Sequence, residues 1–200
     1  MKSFTTRRIV NRWSGMTRRA MIITLAWVLP LAGVVALLAW QLRPASKALT
    51  WAYVNALIAR KFPQVRQISA DELRRWLANP HAATPLLLDV RTRAEYAVSH
   101  LRHARRIQAS EPVDRALAGV SYQTLIVTYC SVGYRSSGYA QRLMSDGYRN
   151  VYNLKESIFG WANRGWPVYR HGRLVHHVHP YDAYWGALLR RRLWAFTPPK

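Results

Sequence analysis

From residue 20 to residue 40 the chain runs for 21 positions without one charged side chain, through Ile22, Ile23, Leu25, Val28, Leu31, Val34 and Leu37. As a helix this run reaches about 31 Å at about 1.5 Å per residue, enough to cross a hydrocarbon core of roughly 30 Å. Soluble domains rarely contain such a run. Pro30 falls mid-span, where membranes tolerate a kink, and Trp40 stands at one end as an interfacial residue. The run predicts an uncleaved transmembrane anchor over residues 20–40. Its rival is a cleaved signal peptide, but the apolar stretch exceeds the usual ~7–15 residues and Ser46-Lys47-Ala48 is a poor cleavage site. Arg7-Arg8 continues into Ile9-Val10-Asn11, which fits a twin-arginine signal poorly.

Arg7, Arg8, Arg12, Arg18 and Arg19 precede the run closely, whereas Arg43 and Lys47 follow it. The positive-inside rule then places the N-terminus in the cytoplasm and the rest of a single-pass protein outside, in the periplasm if the source is bacterial. Arg60, Lys61 and Arg66 reduce the asymmetry when a wider window is counted.

Charge follows the same division. The chain carries 30 Lys+Arg against 9 Asp+Glu, and its first acid is Asp71, so 11 of the cations lie in an acid-free opening of 70 residues. Residues 71–200 keep 19 Lys+Arg against the 9 acids, or +10, which favours anionic substrates and a bilayer surface. Half the residues are hydrophobic, which excludes a disordered polar chain, and the single cysteine excludes a disulfide framework or a cysteine metal site.

After the anchor, Leu49, Tyr53, Ala56, Leu57 and Arg60 predict a short amphipathic helix ending before Pro63. Beyond it, helices alternate with short apolar runs. Ser69-Ala70-Asp71-Glu72 and Thr92-Arg93-Ala94-Glu95 are capping boxes, each opening a helix. Leu86 to Val90, Leu125 to Tyr129 and Val151 to Leu154 are strands, and further helices run from about Ser136 to Asp146 and through Ile158, Phe159 and Trp161. Uninterrupted apolar strands between helices predict an α/β fold whose parallel sheet is covered on both faces. The organisation expected is a basic segment 1–19, the anchor 20–40, a linker with its helix 41–66, an α/β domain 67–170 and a basic, aromatic extension 171–200.

Cys130 stands where a buried strand gives way to a helix, and ligands of such sheets bind beyond the carboxyl ends of the strands. The connection reads Cys130-Ser131-Val132-Gly133-Tyr134-Arg135-Ser136-Ser137. Gly133 permits a positive φ, so that successive N–H groups converge as an anion nest. Ser136 or Ser137 is suited to cap the following helix, whose N-terminus favours negative charge, and Arg135 supplies a planar cation for oxyanions. These features together should favour thiolate over thiol at Cys130.

The Cys-x4-Arg-Ser turn resembles the active-site loop of the rhodanese family of sulfurtransferases. The resemblance spans about residues 67–170, through Leu87-Leu88-Asp89-Val90-Arg91, Glu95-Tyr96, His100-Leu101, Gly147-Tyr148, Val151-Tyr152-Asn153-Leu154 and Ile158-Phe159 with Trp161. It implies that Cys130 takes sulfur from a thiosulfate-like donor as a persulfide and passes it to a thiol or cyanide. Residues 131–136 would be the cradle. No metal or organic cofactor is required for two displacements at one sulfur. Cell-cycle phosphatases on this fold are expected to carry Cys-x5-Arg, so the shorter spacing favours sulfur transfer. A non-catalytic module that senses sulfur or binds a protein partner at the membrane is the alternative. The family's usual glycines are replaced by Ser99, His103, Glu156 and Ser157, where the backbone is expected to differ.

Asp89 and Arg91 either line the site or form an ion pair at the end of their strand. His100 reads as structural. His171, His176, His177 and His179 lack a paired carboxylate or ligand spacing, which makes a metal site the lesser reading. The tail residues Tyr181, Tyr184, Trp185, Leu188, Leu189, Leu193 and Trp194 with Arg190-Arg191-Arg192 suit either a membrane-surface helix or a segment packed on the domain with solvated arginines. Nothing in the chain resembles a nucleic-acid module.

Overall fold

A computed structural model describes residues 49–199. The basic segment 1–19, the anchor 20–40 and the first part of the linker lie outside the described residues. Among the described residues no helix is long and apolar enough to cross a membrane.

Five strands form one all-parallel sheet: β1 (Arg66–Ile68), β2 (Leu86–Asp89), β3 (Arg105–Arg106), β4 (Ile126–Tyr129) and β5 (Val151–Leu154), in the order β1-β5-β4-β2-β3. All four residues of β4 are buried. Because successive side chains of a strand point to opposite faces, both faces of the sheet are covered at its centre. The helices are α1 (Trp51–Lys61), α2 (Ala70–Ala78), α3 (Arg93–Val98), α4 (Val113–Ala116), α5 (Tyr134–Ser145), α6 (Ser157–Asn163) and α7 (Ala183–Gly186). Of these, α5 packs on β4 and β5, α1 on α5, and α2 on α6.

Both capping boxes form. Ser69 and Thr92 accept from the backbone of Glu72 and Glu95, whose carboxylates return the bond to the N-cap N–H groups. Strands β2, β4 and β5 fall within one residue of the apolar runs.

The first helix turns a different face inward from the one expected. Val54, Ile58 and Phe62 are buried, whereas Tyr53 is half exposed. The apolar stripe follows the i, i+4, i+8 row, and Phe62 closes it edge-on against Tyr134, with ring centroids 5.3 Å apart. Residues 54–62 of the segment read as a linker thus contribute to the core.

Beyond the sheet, β6 (Val168–Arg170) and β7 (Arg173–Val175) form a hairpin. Its two-residue turn places His171 and Gly172 at positive φ, the primed geometry that matches strand twist. The tail is not the continuous basic helix one of the two readings required. Only the single turn of α7 and a 3-10 turn at Arg191–Leu193 form. Leu188 and Leu189 are buried, Arg190, Arg191 and Arg192 stay exposed, and Val178 bridges Trp194. The tail therefore packs on the domain with its arginines solvated.

Candidate active site

The strand order fixes where a site can lie. From β2 the chain moves outward to β3, and from β4 it moves the other way to β5, so the connections diverge between β2 and β4. These strands end in register, with Asp89 opposite Tyr129, and open a crevice at a topological switch point. The loop after β4 begins with Cys130. The loop after β2 leads into α3, which carries Glu95.

Cys130 is buried and its sulfur accepts the Gly133 N–H at 3.1 Å. Gly133, at φ 106°, is the N-cap of α5, which therefore starts two residues before the position expected from sequence. A side chain there would be strained and would press on Asn153 and Ile58, each 3.3 Å from an added Cβ. Ser136 and Ser137 consequently sit inside the first turn rather than capping it. Ser137 donates to the Gly133 carbonyl at 2.8 Å, while the buried Ser136 hydroxyl has no hydrogen-bond partner.

Burial pushes the Cys130 thiol up, but the Arg135 charge, the hydroxyl and N–H of Ser136 and the Gly133 N–H outweigh it and hold the pKa below its ordinary value. The loop is also held from beneath. Ser157 Oγ accepts the Cys130 N–H at 3.0 Å, and the N–H groups of Ile158 and Phe159 donate to the carbonyls of Cys130 and Ser131.

Arg135 is not a free cation. Its guanidinium forks onto Glu95, Nη2 to Oε1 at 2.6 Å and Nη1 to Oε2 at 3.0 Å, and Nη2 also donates to Ser131 Oγ at 3.0 Å. Ser131 donates in turn to Glu95 Oε1 at 2.7 Å, so its hydroxyl serves this clamp. Burial pushes the Glu95 carboxyl up, yet the hydrogen bond and charge of Arg135 more than reverse this and hold it at about 2. The Arg135 side chain keeps 33% of its surface exposed, and Glu95 keeps 1%.

A cavity of about 110 Å³ opens at the sulfur. Its loop-side wall is Cys130, Ser131, Val132, Tyr134 and Arg135. The opposite wall comes from the tail: Tyr181 and Trp185.

A family model described as Rhodanese-like domain matches residues 69–164. Thiosulfate sulfurtransferase GlpE of Actinobacillus pleuropneumoniae serotype 5b (strain L20) is 32% identical over 97 residues, covering 45% of this chain and 89% of that protein. The chain belongs to the rhodanese-like family. A sulfurtransferase of Allochromatium vinosum is 31% identical over 104 residues, covering 52% of this chain and 94% of that one. The fold matches a thiosulfate sulfurtransferase from Pseudomonas aeruginosa with a TM-score of 0.50 at 20% identity, over 62% of this chain and 23% of that one.

All the loop residues singled out in the sequence, Cys130 to Ser136, gather at the site of this rhodanese-like domain. Asp89 and Arg91 do not. They form a fully buried ion pair of 2.7 Å, with Arg91 Nη2 also donating to the Ser99 carbonyl, and they brace the turn after β2 without lining the cavity. His100 stacks on Tyr96 and pairs with Tyr169 across a bridge, a structural role. Among the described residues no cluster of His, Cys, Asp and Glu gathers a ligand set for a metal.

Sequence reasoning missed Glu95, Ser157, Tyr181 and Trp185 as parts of the site. Glu95 was visible as a capping residue, a role it fills as well, and as part of the family resemblance, but not as the partner of Arg135. Tyr181 and Trp185 lie beyond the matched domain, and the one available signal was the aromatic content of the tail.

The glycine replacements left the backbone in the conformation glycine favours. His103, Glu156 and Ser157 have φ of 57°, 59° and 48°, and only Ser99, at φ −169°, is ordinary extended chain. Each left-handed non-glycine residue costs about 1–2 kcal/mol. At Ser157 the hydroxyl offsets that cost by holding the Cys130 N–H and donating to the Leu154 carbonyl.

Proposed function

We propose that this protein is a membrane-anchored sulfurtransferase in which Cys130 carries sulfur as a persulfide. The observation that carries the reading is the Gly133 N–H aimed at Cys130 Sγ at 3.1 Å, at the N-terminus of α5 and beside Arg135. The thiolate attacks the outer sulfur of a thiosulfate-like donor, forming the Cys–S–S⁻ bond as the S–S bond of the donor breaks and sulfite leaves with the electron pair. A thiophilic acceptor then attacks the outer sulfur, and the Cys130 thiolate is released. With cyanide the product is thiocyanate. N–H donors and a helix N-terminus stabilise the anion in both states of the sulfur.

The test is thiocyanate formation from thiosulfate and cyanide by the full chain, with Cys130→Ser as control. Wild type should turn over and gain one sulfur atom in mass on Cys130 after exposure to thiosulfate alone. Absence of both would exclude the enzyme reading and leave the non-catalytic module.

The anchor rests on the 21 uncharged residues of positions 20–40, and its orientation on the cations that precede them. A reporter fused after Lys200 should work only outside the cytoplasm. Activity of a cytoplasm-only reporter would reverse the orientation.

A further inference from the structure

The tail approaches the reactive sulfur, and it is held there by its own bonds. Asn163 Nδ2 donates to the Leu188 carbonyl at 2.7 Å and Asn163 Oδ1 accepts the Arg190 N–H at 2.9 Å, which ties the tail to the end of α6. Val178 exchanges backbone bonds with Leu193 and Ala195, closing the tail on itself. Asp182 caps α7 through the Trp185 N–H at 2.8 Å. At the head of this strap Tyr181 donates its N–H to His179 Nδ1 at 3.0 Å and sets its ring 4.8 Å from Arg135 Cζ. Tyr181 does so at φ 69°. A left-handed tyrosine is a strained residue, and such strain persists only where its surroundings hold it.

The consequence is a small, aromatic-walled opening. A volume of about 110 Å³ compares with about 300–1,000 Å³ for sites that take drug-sized ligands. It holds a molecule of a few heavy atoms beside the sulfur. A thiol carried on a peptide would bring its bulk against the Tyr181 and Trp185 wall on its way to Sγ.

Resting on the sulfurtransferase reading, we infer that Tyr181 and Trp185 determine acceptor size, admitting small thiophiles of the cyanide or sulfite class and excluding peptide-borne thiols. The strap is thus a specificity device added to a domain whose chemistry is complete without it. Neither aromatic residue supplies or removes a proton in the transfer. Both act by occupying the space a bulky acceptor needs.

The experiment loads the full chain with sulfur from thiosulfate and measures discharge of Cys130 by cyanide and by reduced glutathione. It compares wild type with Tyr181→Phe, Tyr181→Ala and Trp185→Ala. Removing either ring should raise the glutathione rate relative to the cyanide rate about tenfold, the size of an ordinary steric discrimination, while Tyr181→Phe keeps the wild-type ratio. A ratio within about twofold of wild type in both alanine variants overturns the inference, since steric exclusion should exceed that margin. Should Tyr181→Ala fail to load, the ratio in Trp185→Ala decides. Failure of wild type itself to load counts against the sulfurtransferase reading, which separates the two outcomes.

Discussion

Arg135 and Glu95 clasp the two loops that diverge at the switch point, through paired bonds of 2.6 and 3.0 Å between the first turn of α5 and the first turn of α3. The same carboxylate accepts the Thr92 N–H and hydroxyl and the Ser131 hydroxyl. One buried acid therefore caps a helix, orients the loop arginine and fixes the residue next to the nucleophile. Planar pairing of this kind adds geometric precision that a lysine would not supply.

Arg135→Ala should raise the Cys130 pKa, because the opposite charge that favours thiolate is gone. The pH dependence of alkylation of Cys130 reads that shift directly. The same substitution leaves Glu95 buried without its main partner and should cost about 3 kcal/mol in denaturant melts. Unchanged alkylation behaviour in a folded variant would remove Arg135 from the electrostatics of the thiolate.

Glu95 makes a pH prediction of definite sign. Its carboxyl lies at about 2 in the folded protein against 4.5 for an unperturbed glutamate, so its contribution to stability is fully present above 4.5 and is lost as pH falls through about 2. Thermal melts of wild type should decline across that window more steeply than melts of Glu95→Gln, which has no carboxyl to protonate. Parallel declines in the two proteins would contradict the pairing.

Local signals in the chain were legible and distant partners were not. The capping boxes at Ser69 and Thr92 and the apolar runs of β2, β4 and β5 are written within a few residues, and each formed where its pattern placed it. The spacing of Cys130 and Arg135 likewise identified the loop. Glu95 joins Arg135 across 40 positions, and no periodicity encodes that pair. The two residues of β3 are too few to leave an alternating or apolar pattern. The tail showed its aromatic residues but not their destination, since packing on a domain and lying on a bilayer require the same amphipathic composition. The missing glycines misled in the opposite direction. Left-handed conformations persist at His103, Glu156 and Ser157, and at Ser157 the bonds to Cys130 and Leu154 outweigh local preference.

Ser157→Ala isolates one such compensation. It keeps the left-handed backbone strain but removes the acceptor of the buried Cys130 N–H and the donor to the Leu154 carbonyl. An orphaned buried N–H together with a lost donor should cost about 2 kcal/mol. Equilibrium unfolding in urea measures this, and a change below about 0.5 kcal/mol, the range of ordinary surface substitutions, would mean that the loop finds another acceptor.

The contribution of α1 is tested at Phe62, which lies seven residues before the matched domain begins. Its ring is buried, meets Tyr134 at 5.3 Å and lies 3.5 Å from the position a Cβ on Gly138 would take. Phe62→Ala should destabilise the fold by about 3–4 kcal/mol, the usual cost of emptying an aromatic site in a core. Because Tyr134 opens α5 directly after Gly133, the cavity also loosens the turn that aims an N–H at the sulfur. Persulfide loading should therefore slow at temperatures where the variant is still fully folded by circular dichroism. Loss of stability with an unchanged loading rate would restrict α1 to a packing role, whereas loss of both makes residues 51–62 part of the functional unit, although they precede the family's own boundary.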